Sequence, residues 1–204
     1  RRLLRQPHDP AALAFAEAYA RRFGPQAPTL SGLAESTYEG FLMLEAIAKL
    51  NHAGWHVVVA TNQPGLGRGS FDVGTLNAIH TKMNKALAAV GGRVEAVFYC
   101  PHAAEDHCDC AKPAPGLFFQ IGERFGVDLD QVPVVGDRLR DVEAGAKAGC
   151  QPHLVLSGEA GRELRAAAAP RALPSGYPPD TQVHEDLMAF ARHLLKREAR
   201  PASE

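Results

Sequence analysis

The stretch Trp55 to Gly67, WHVVVATNQPGLG, decides the fold. Val57, Val58 and Val59 run into Ala60 between Gly54 and Pro64, with no polar residue to mark a solvent face. A short β-branched run of this kind is the pattern of a strand buried on both sides, which belongs in a parallel sheet. Thr61-Asn62-Gln63-Pro64-Gly65 then reads as a loop at the strand's C-terminal end.

Working outward, the chain alternates. Leu44, Ile47, Ala48 and Leu50 recur at helical spacing before Gly54, a natural helix stop. Residues 72 to 90 carry helical periodicity, with Asp72 as N-cap, and Ala96 to Tyr99 reads as a short strand. Pro115-Gly116 opens a helix over 117 to 125. Val132 to Val135 is a strand ending in Gly136-Asp137, followed by a helix over about 140 to 148 and a strand over 153 to 156. Repeated strand, loop and helix units predict an α/β fold, a Rossmann-like parallel sheet with helices on both faces. In such sheets ligands bind at the carboxyl ends of the strands. That rule gathers Thr61-Asn62, the segment from Cys100 to Lys112, and Gly136-Asp137 on one rim.

The ends differ from this core. Residues 1–41 offer a possible amphipathic helix, Pro10 to Phe23, and a loose Gly/Pro/Ser stretch, but no strand-like run; they form an atypical segment ahead of a domain over 42–195. Residues 157–182 are rich in Ala, Gly and Pro and read as loop, a final helix is expected near 185–195, and 196–204 is a polar tail. The 204 residues carry 22 Lys plus Arg against 23 Asp plus Glu. So balanced a charge gives no reason to expect nucleic acid or an anionic membrane as partner. No apolar run is long enough to span a bilayer, and no signal peptide is evident. A monomeric cytoplasmic protein acting on a small molecule is expected.

Three of the four cysteines fall in CPHAAEDHCDCAKPAPG, Cys100 to Gly116. Cys100-x-His102 followed by Cys108-x-Cys110 supplies three sulfurs and an imidazole, the set that closes a tetrahedral zinc site with no position left for water. His107 is the alternative nitrogen ligand. Cys150 reads as an inert buried thiol. The loop carries Glu105, Asp106 and Asp109 and no basic cluster, which argues against a nucleic-acid zinc knuckle. Directly after the clasp, Lys112-Pro113-x-Pro115-Gly116 holds a lysine at a stiffened helix entry, suited to a phosphate oxyanion.

The order Val58-Val59-Ala60-Thr61-Asn62-Gln63, then Cys100-Pro101-His102, Cys108-Asp109-Cys110-Ala111-Lys112-Pro113-Ala114-Pro115-Gly116, then Val134-Val135-Gly136-Asp137, resembles the haloacid-dehalogenase-like phosphatases. Within them it is similar to the zinc-clasped branch whose members act on heptose bisphosphate and histidinol phosphate. The resemblance covers residues 42 to about 190, and the lack of a second domain favours the heptose substrate of lipopolysaccharide core synthesis. It implies Mg²⁺-dependent hydrolysis of a sugar phosphate through a covalent aspartyl-phosphate. Thr61 and Asn62 would then donate to the phosphoryl group, Lys112 would neutralise it and Asp137 would ligate magnesium. Gln63, Arg68 and Ala111 would meet the rest of the substrate.

The chain also departs from the family. Ala111 stands where the heptose enzymes have Arg, and Pro64 replaces a small hydroxyl residue. The family's first strand ends in Asp-x-Asp, whose first carboxylate attacks phosphorus. No such element precedes Thr61: Asp9 has no strand before it and no partner two residues on, and Asp128-Leu129-Asp130 lies before a strand and reads as loop. The resemblance therefore implies a sheet without its central strand, a segment 1–41 not native to the phosphatase, and either reduced activity or a non-catalytic phosphate-binding role.

Overall fold

The computed structural model describes residues 32–157, 161, 173 and 176–199. The expected helix Pro10 to Phe23, Asp9 and most of the expected loop 157–182 lie outside them. The chain divides into two compact units, Arg1–Met43 and Leu44–Glu204. The description below concerns the second.

Helix α1 (Gly32–His52) enters this unit at Leu44 and buries Ala46, Ala48 and Leu50. It starts well before the apolar spacing at Leu44 announces it. Gly54 ends it at φ +93°, a conformation open to glycine. Strand β1 (Val58–Asn62) follows, then a helical turn α2 (Pro64–Gly67), helix α3 (Val73–Ala89) and strand β2 (Ala96–Cys100). Asp72 caps α3 as expected, its carboxylate accepting from the Thr75 N–H at 2.7 Å. After the cysteine loop come α4 (Gly116–Phe125), β3 (Pro133–Gly136), α5 (Leu139–Lys147), β4 (Gln151–Val155), β5 (Gln182–His184) and α6 (Leu187–Glu198).

All the pairings are parallel, in the order β1-β2 and, separately, β3-β4-β5. Yet the two sheets share both of their cores. Val57 of the β1 approach and Val135 of β3 pack on one face against Ala46, Leu50, Phe190 and Leu194. Val58, Ala60 and Val134 pack on the other against Phe118 and Ile121. β1 and β3 thus lie in one layer with helices on both faces but do not approach as neighbouring strands do. Among the described residues, no strand lies between them.

Three expectations need correction. Thr61 and Asn62 are the last residues of β1 rather than loop, because the ladder with β2 continues to Asn62↔Cys100. β5 was not foreseen: Gln182-Val183-His184 is short and polar, and pairing with β4 rather than its own composition makes it a strand. The final helix runs to Glu198, into the expected tail, because Leu194 still packs on the core while Lys196 and Arg197 suit its C-terminal end.

A histidine cluster reaches into the core. His153 of β4 is fully buried and shares a hydrogen bond with His184 of β5 (Nδ1 to Nε2, 3.0 Å), with His193 of α6 and Phe190 stacked around the pair. Burial first, then His184, His193 and Arg197, pushes the His153 imidazole down to about 4. The folded value is depressed below the unfolded one near 6.5, so the neutral imidazole's stability is complete above about pH 6.5. It is lost as pH falls from there toward 4. We expect the thermal midpoint to drop between pH 7 and pH 5, by an amount on the order of 1–3 kcal/mol in stability. His153→Leu should flatten that slope; an unchanged pH profile in the variant would contradict it.

Candidate active site

The rim begins at the end of β1. The Asn62 side chain clamps the backbone of Lys112 twice: its Nδ2 donates to the Lys112 carbonyl and its Oδ1 accepts from the Lys112 N–H, both at 3.0 Å. The lysine side chain, only 11% exposed, turns back so that Nζ donates to the Ala60 carbonyl at 2.8 Å and pairs with Asp141 Oδ1 at 2.6 Å. Asp141 is 13% exposed, so the pair is largely withdrawn from water. Lys112 is held at both ends before any ligand arrives. Thr61 Oγ1 accepts from Gln63 Nε2 at 3.3 Å and donates to the Asn62 carbonyl over a long 3.5 Å.

Asp141 escaped the sequence reading. Its signal was present: Asp137 follows a strand end directly and Asp141, four residues on, stands in the first turn of the next helix. Gly136 makes room for it, since a Cβ there would collide with Asp141. Asp137 follows β3 directly and is half-buried. Arg68 sits exposed at the C-terminal cap of α2, and Ala111 packs beside the clasp cysteines. A concavity of about 1070 Å³ near the rim is walled by Phe71, Asp72, Val73, Tyr99 and His102, and does not include Thr61, Lys112 or Asp137.

The ligand atoms of Cys100, His102, Cys108 and Cys110 all lie within 4.8 Å of one another; His107, exposed at φ 45°, is not in the group. The Cys100–Cys108 and Cys108–Cys110 sulfurs are 3.5 Å apart, and His102 Nδ1 stands 3.6 Å from Cys100 and 3.2 Å from Cys110. These separations exclude disulfides, whose sulfurs are about 2 Å apart, and are those of ligands around a tetrahedral ion. The protonation pattern fits too. Burial and the neighbouring thiols push Cys110 up to about 12. Burial also pushes Cys108 up, but the Ala111 N–H and the other two thiols outweigh it and bring Cys108 to about 7. Three thiolates this close need a cation to be charged together.

Gly116 closes the loop. Its N–H donates to the Asp109 carbonyl at 3.0 Å, and a Cβ would stand 2.5 Å from that oxygen. Gly116→Ala is expected to displace the backbone between Cys108 and Lys112, costing about 1–3 kcal/mol. Metal content together with a denaturation curve would check it; an unchanged midpoint and full metal would count against this packing.

The chain matches the HAD-hydrolase-like family over residues 109–187. It is 53% identical over 153 residues to a D-glycero-beta-D-manno-heptose-1,7-bisphosphate 7-phosphatase of Bordetella bronchiseptica, covering 75% of this chain and 81% of that one. The enzyme of the same name from Pseudomonas aeruginosa is 45% identical over the same shares. Among solved structures, the D,D-heptose 1,7-bisphosphate phosphatase of B. bronchiseptica, complexed with magnesium and phosphate, superposes with a TM-score of 0.69 at 51% identity. It covers 76% of this chain and 82% of that one.

Proposed function

This chain belongs to the haloacid-dehalogenase-like hydrolases, among the heptose-bisphosphate phosphatases, and from that premise we propose that its rim binds the 7-phosphate of D-glycero-D-manno-heptose 1,7-bisphosphate for Mg²⁺-dependent hydrolysis. The observation that carries the reading is the immobilised ammonium of Lys112, held against the Ala60 carbonyl at a strand end and paired with Asp141. Lys112 brings one positive charge against the two negative ones of Asp137 and Asp141, so these three groups by themselves repel a phosphomonoester dianion. At about 4 Å each unit interaction is worth roughly 4 kcal/mol in such partly buried surroundings. Asp137 and Asp141 offer hard oxygens suited to magnesium, which when bound reverses the sign of the site and offsets charge on the transferring oxygens.

The chain's own residues then divide the work. Thr61 donates its hydroxyl to a phosphoryl oxygen, steered by Gln63. Lys112 neutralises a second oxygen and need not reorganise to do so. Asn62 acts by positioning Lys112, because its carboxamide is engaged on both sides. Cys100, His102, Cys108 and Cys110 hold a structural zinc ion, two residues upstream of the lysine. The attacking carboxylate is not among these residues: Asp141 is taken up by Lys112 and Asp137 by the cation. Turnover therefore depends on a carboxylate from outside the described rim, and without one the chain is a phosphate-binding protein.

Phosphate release from heptose 1,7-bisphosphate with Mg²⁺, with histidinol phosphate as comparison substrate and zinc assayed on the same sample, tests the reading. Saturable binding of inorganic phosphate that needs Mg²⁺ and is lost in Asp137→Asn is expected whether or not turnover occurs. Preference for histidinol phosphate would move the substrate assignment, and absence of Mg²⁺-dependent phosphate binding would overturn it.

A further inference from the structure

The four ligands of the clasp are not equally placed. Cys100 and Cys110 are buried, at 0% and 6% exposure, whereas Cys108 is partly exposed and His102 is exposed. One side of the clasp therefore faces water, and Cys108 is the sulfur on that side. A metal ligand is held as thiolate, which is also the form that attacks oxidants. Cys108 thus combines thiolate character with access, and the Cys100 and Cys110 sulfurs each stand 3.5 Å from it.

Those two neighbours differ as partners. Between Cys100 and Cys108 the chain has already turned back on itself, through the 3-10 turn Ala104–Asp106 and His107 in the left-handed region at φ 45°. A bond between their sulfurs closes a loop that the fold has already formed. Between Cys108 and Cys110 stands Asp109 alone, and the Gly116 N–H holds its carbonyl at 3.0 Å. So small a ring closes only by bending the backbone at that pinned residue. Cys150 is buried and lies outside the cluster.

The surroundings select the oxidant. Residues 101–111 include Glu105, Asp106 and Asp109, all exposed, and no Lys or Arg. Such a loop repels an anionic disulfide such as oxidised glutathione and admits a small neutral peroxide.

We propose that Cys108 is a peroxide-sensitive site, whose oxidation joins it to Cys100 and releases zinc from the clasp. The Cys108 thiolate attacks one oxygen of hydrogen peroxide and the O–O bond breaks. The sulfur, oxidised by two electrons, becomes a sulfenic acid, and the departing hydroxide takes a proton from solvent and leaves as water. The Cys100 thiolate then attacks the Cys108 sulfur, forming the S–S bond and expelling hydroxide, which leaves as a second water on taking another proton. Two thiolates, one peroxide and two protons thus give one disulfide and two waters. His102 and Cys110 remain, half the set that closes a tetrahedral site, and zinc departs. Lys112, two residues beyond Cys110, then loses its frame, a consequence that rests on the phosphatase reading above.

Hydrogen peroxide added to the full zinc-loaded chain should release its zinc, read with a chromogenic chelator, in step with a Cys100–Cys108 disulfide mapped by mass spectrometry. Dimedone added with the peroxide should trap Cys108 before any other cysteine. Oxidised glutathione at equal concentration should release zinc at least about tenfold more slowly. Cys108→His keeps four zinc ligands without the accessible sulfur and should slow release by peroxide about tenfold or more. Release from Cys108→His at the parent's rate, first trapping at Cys100 or Cys110, a Cys108–Cys110 disulfide, or equal release by oxidised glutathione overturns the proposal. Should Cys108→His take up no zinc, trapping and mapping in the parent decide. Mg²⁺-dependent binding of inorganic phosphate that falls with the zinc, and returns with dithiothreitol and zinc, supports both readings. Disulfide formation and zinc release in a chain that binds no phosphate when reduced upholds the peroxide site and overturns the phosphatase reading.

Discussion

Replacing Lys112 by methionine is expected to abolish Mg²⁺-dependent phosphate binding, weakening it by at least about 10²–10³-fold. The ammonium is tied into the rim through Ala60 and Asp141, and methionine keeps the length of the side chain while removing its charge. Stability should fall as well. Asp141, 13% exposed, would lose its ion-pair partner, and stranding one charge of a largely buried pair costs about 3–5 kcal/mol, less here because the pair retains some access to water. The double variant Lys112→Met with Asp141→Asn separates the two effects. It should recover most of the lost stability and none of the phosphate affinity. Isothermal titration with inorganic phosphate, alongside urea denaturation, reads both; phosphate affinity within about threefold of the parent in Lys112→Met would refute the assignment.

Removing zinc should have the other large effect. Between Cys100 and Lys112 the loop has one 3-10 turn, Ala104–Asp106, and its buried positions are the clasp cysteines themselves. Structural zinc contributes on the order of 10 kcal/mol to the folding of small metal-bound units, far more than this loop's apolar contacts can replace. Chelation, or Cys110→Ser, is therefore expected to leave the sheets' circular dichroism largely intact while hydrogen exchange across 100–116 rises by orders of magnitude and phosphate binding disappears. Retention of phosphate affinity in metal-free protein would show that the lysine does not depend on the clasp.

How much of this was legible in the sequence follows the physics of each signal. Strand β1 and the strand-loop-helix alternation were visible because burial on both faces demands an unbroken apolar run, and Val57-Val58-Val59-Ala60 is one. The clasp was visible because metal ligands cannot be interchanged with ordinary residues. Asp141 was hidden by its position inside α5, where an acidic residue in the first turn has an ordinary explanation in the helix dipole. β5 was hidden because its strand state comes from a partner and not from its own residues. Asn62 was read as a ligand for phosphate. Only the fold reveals that its carboxamide is turned to the Lys112 backbone, fifty residues away.

That clamp has a consequence for cellular supply. Cys110 and Lys112 are separated by a single residue, and Asn62 ties the lysine to the neighbouring strand of the one that ends in Cys100. On the proposed reading, a soft ion in the clasp would thus fix the frame in which a hard ion and a phosphate meet. Protein made under zinc starvation should accumulate folded in its sheets but blind to phosphate however much magnesium is present. Restoring zinc to that pool should recover binding without new synthesis, so the nutrient that limits this site is not the one that takes part in its chemistry.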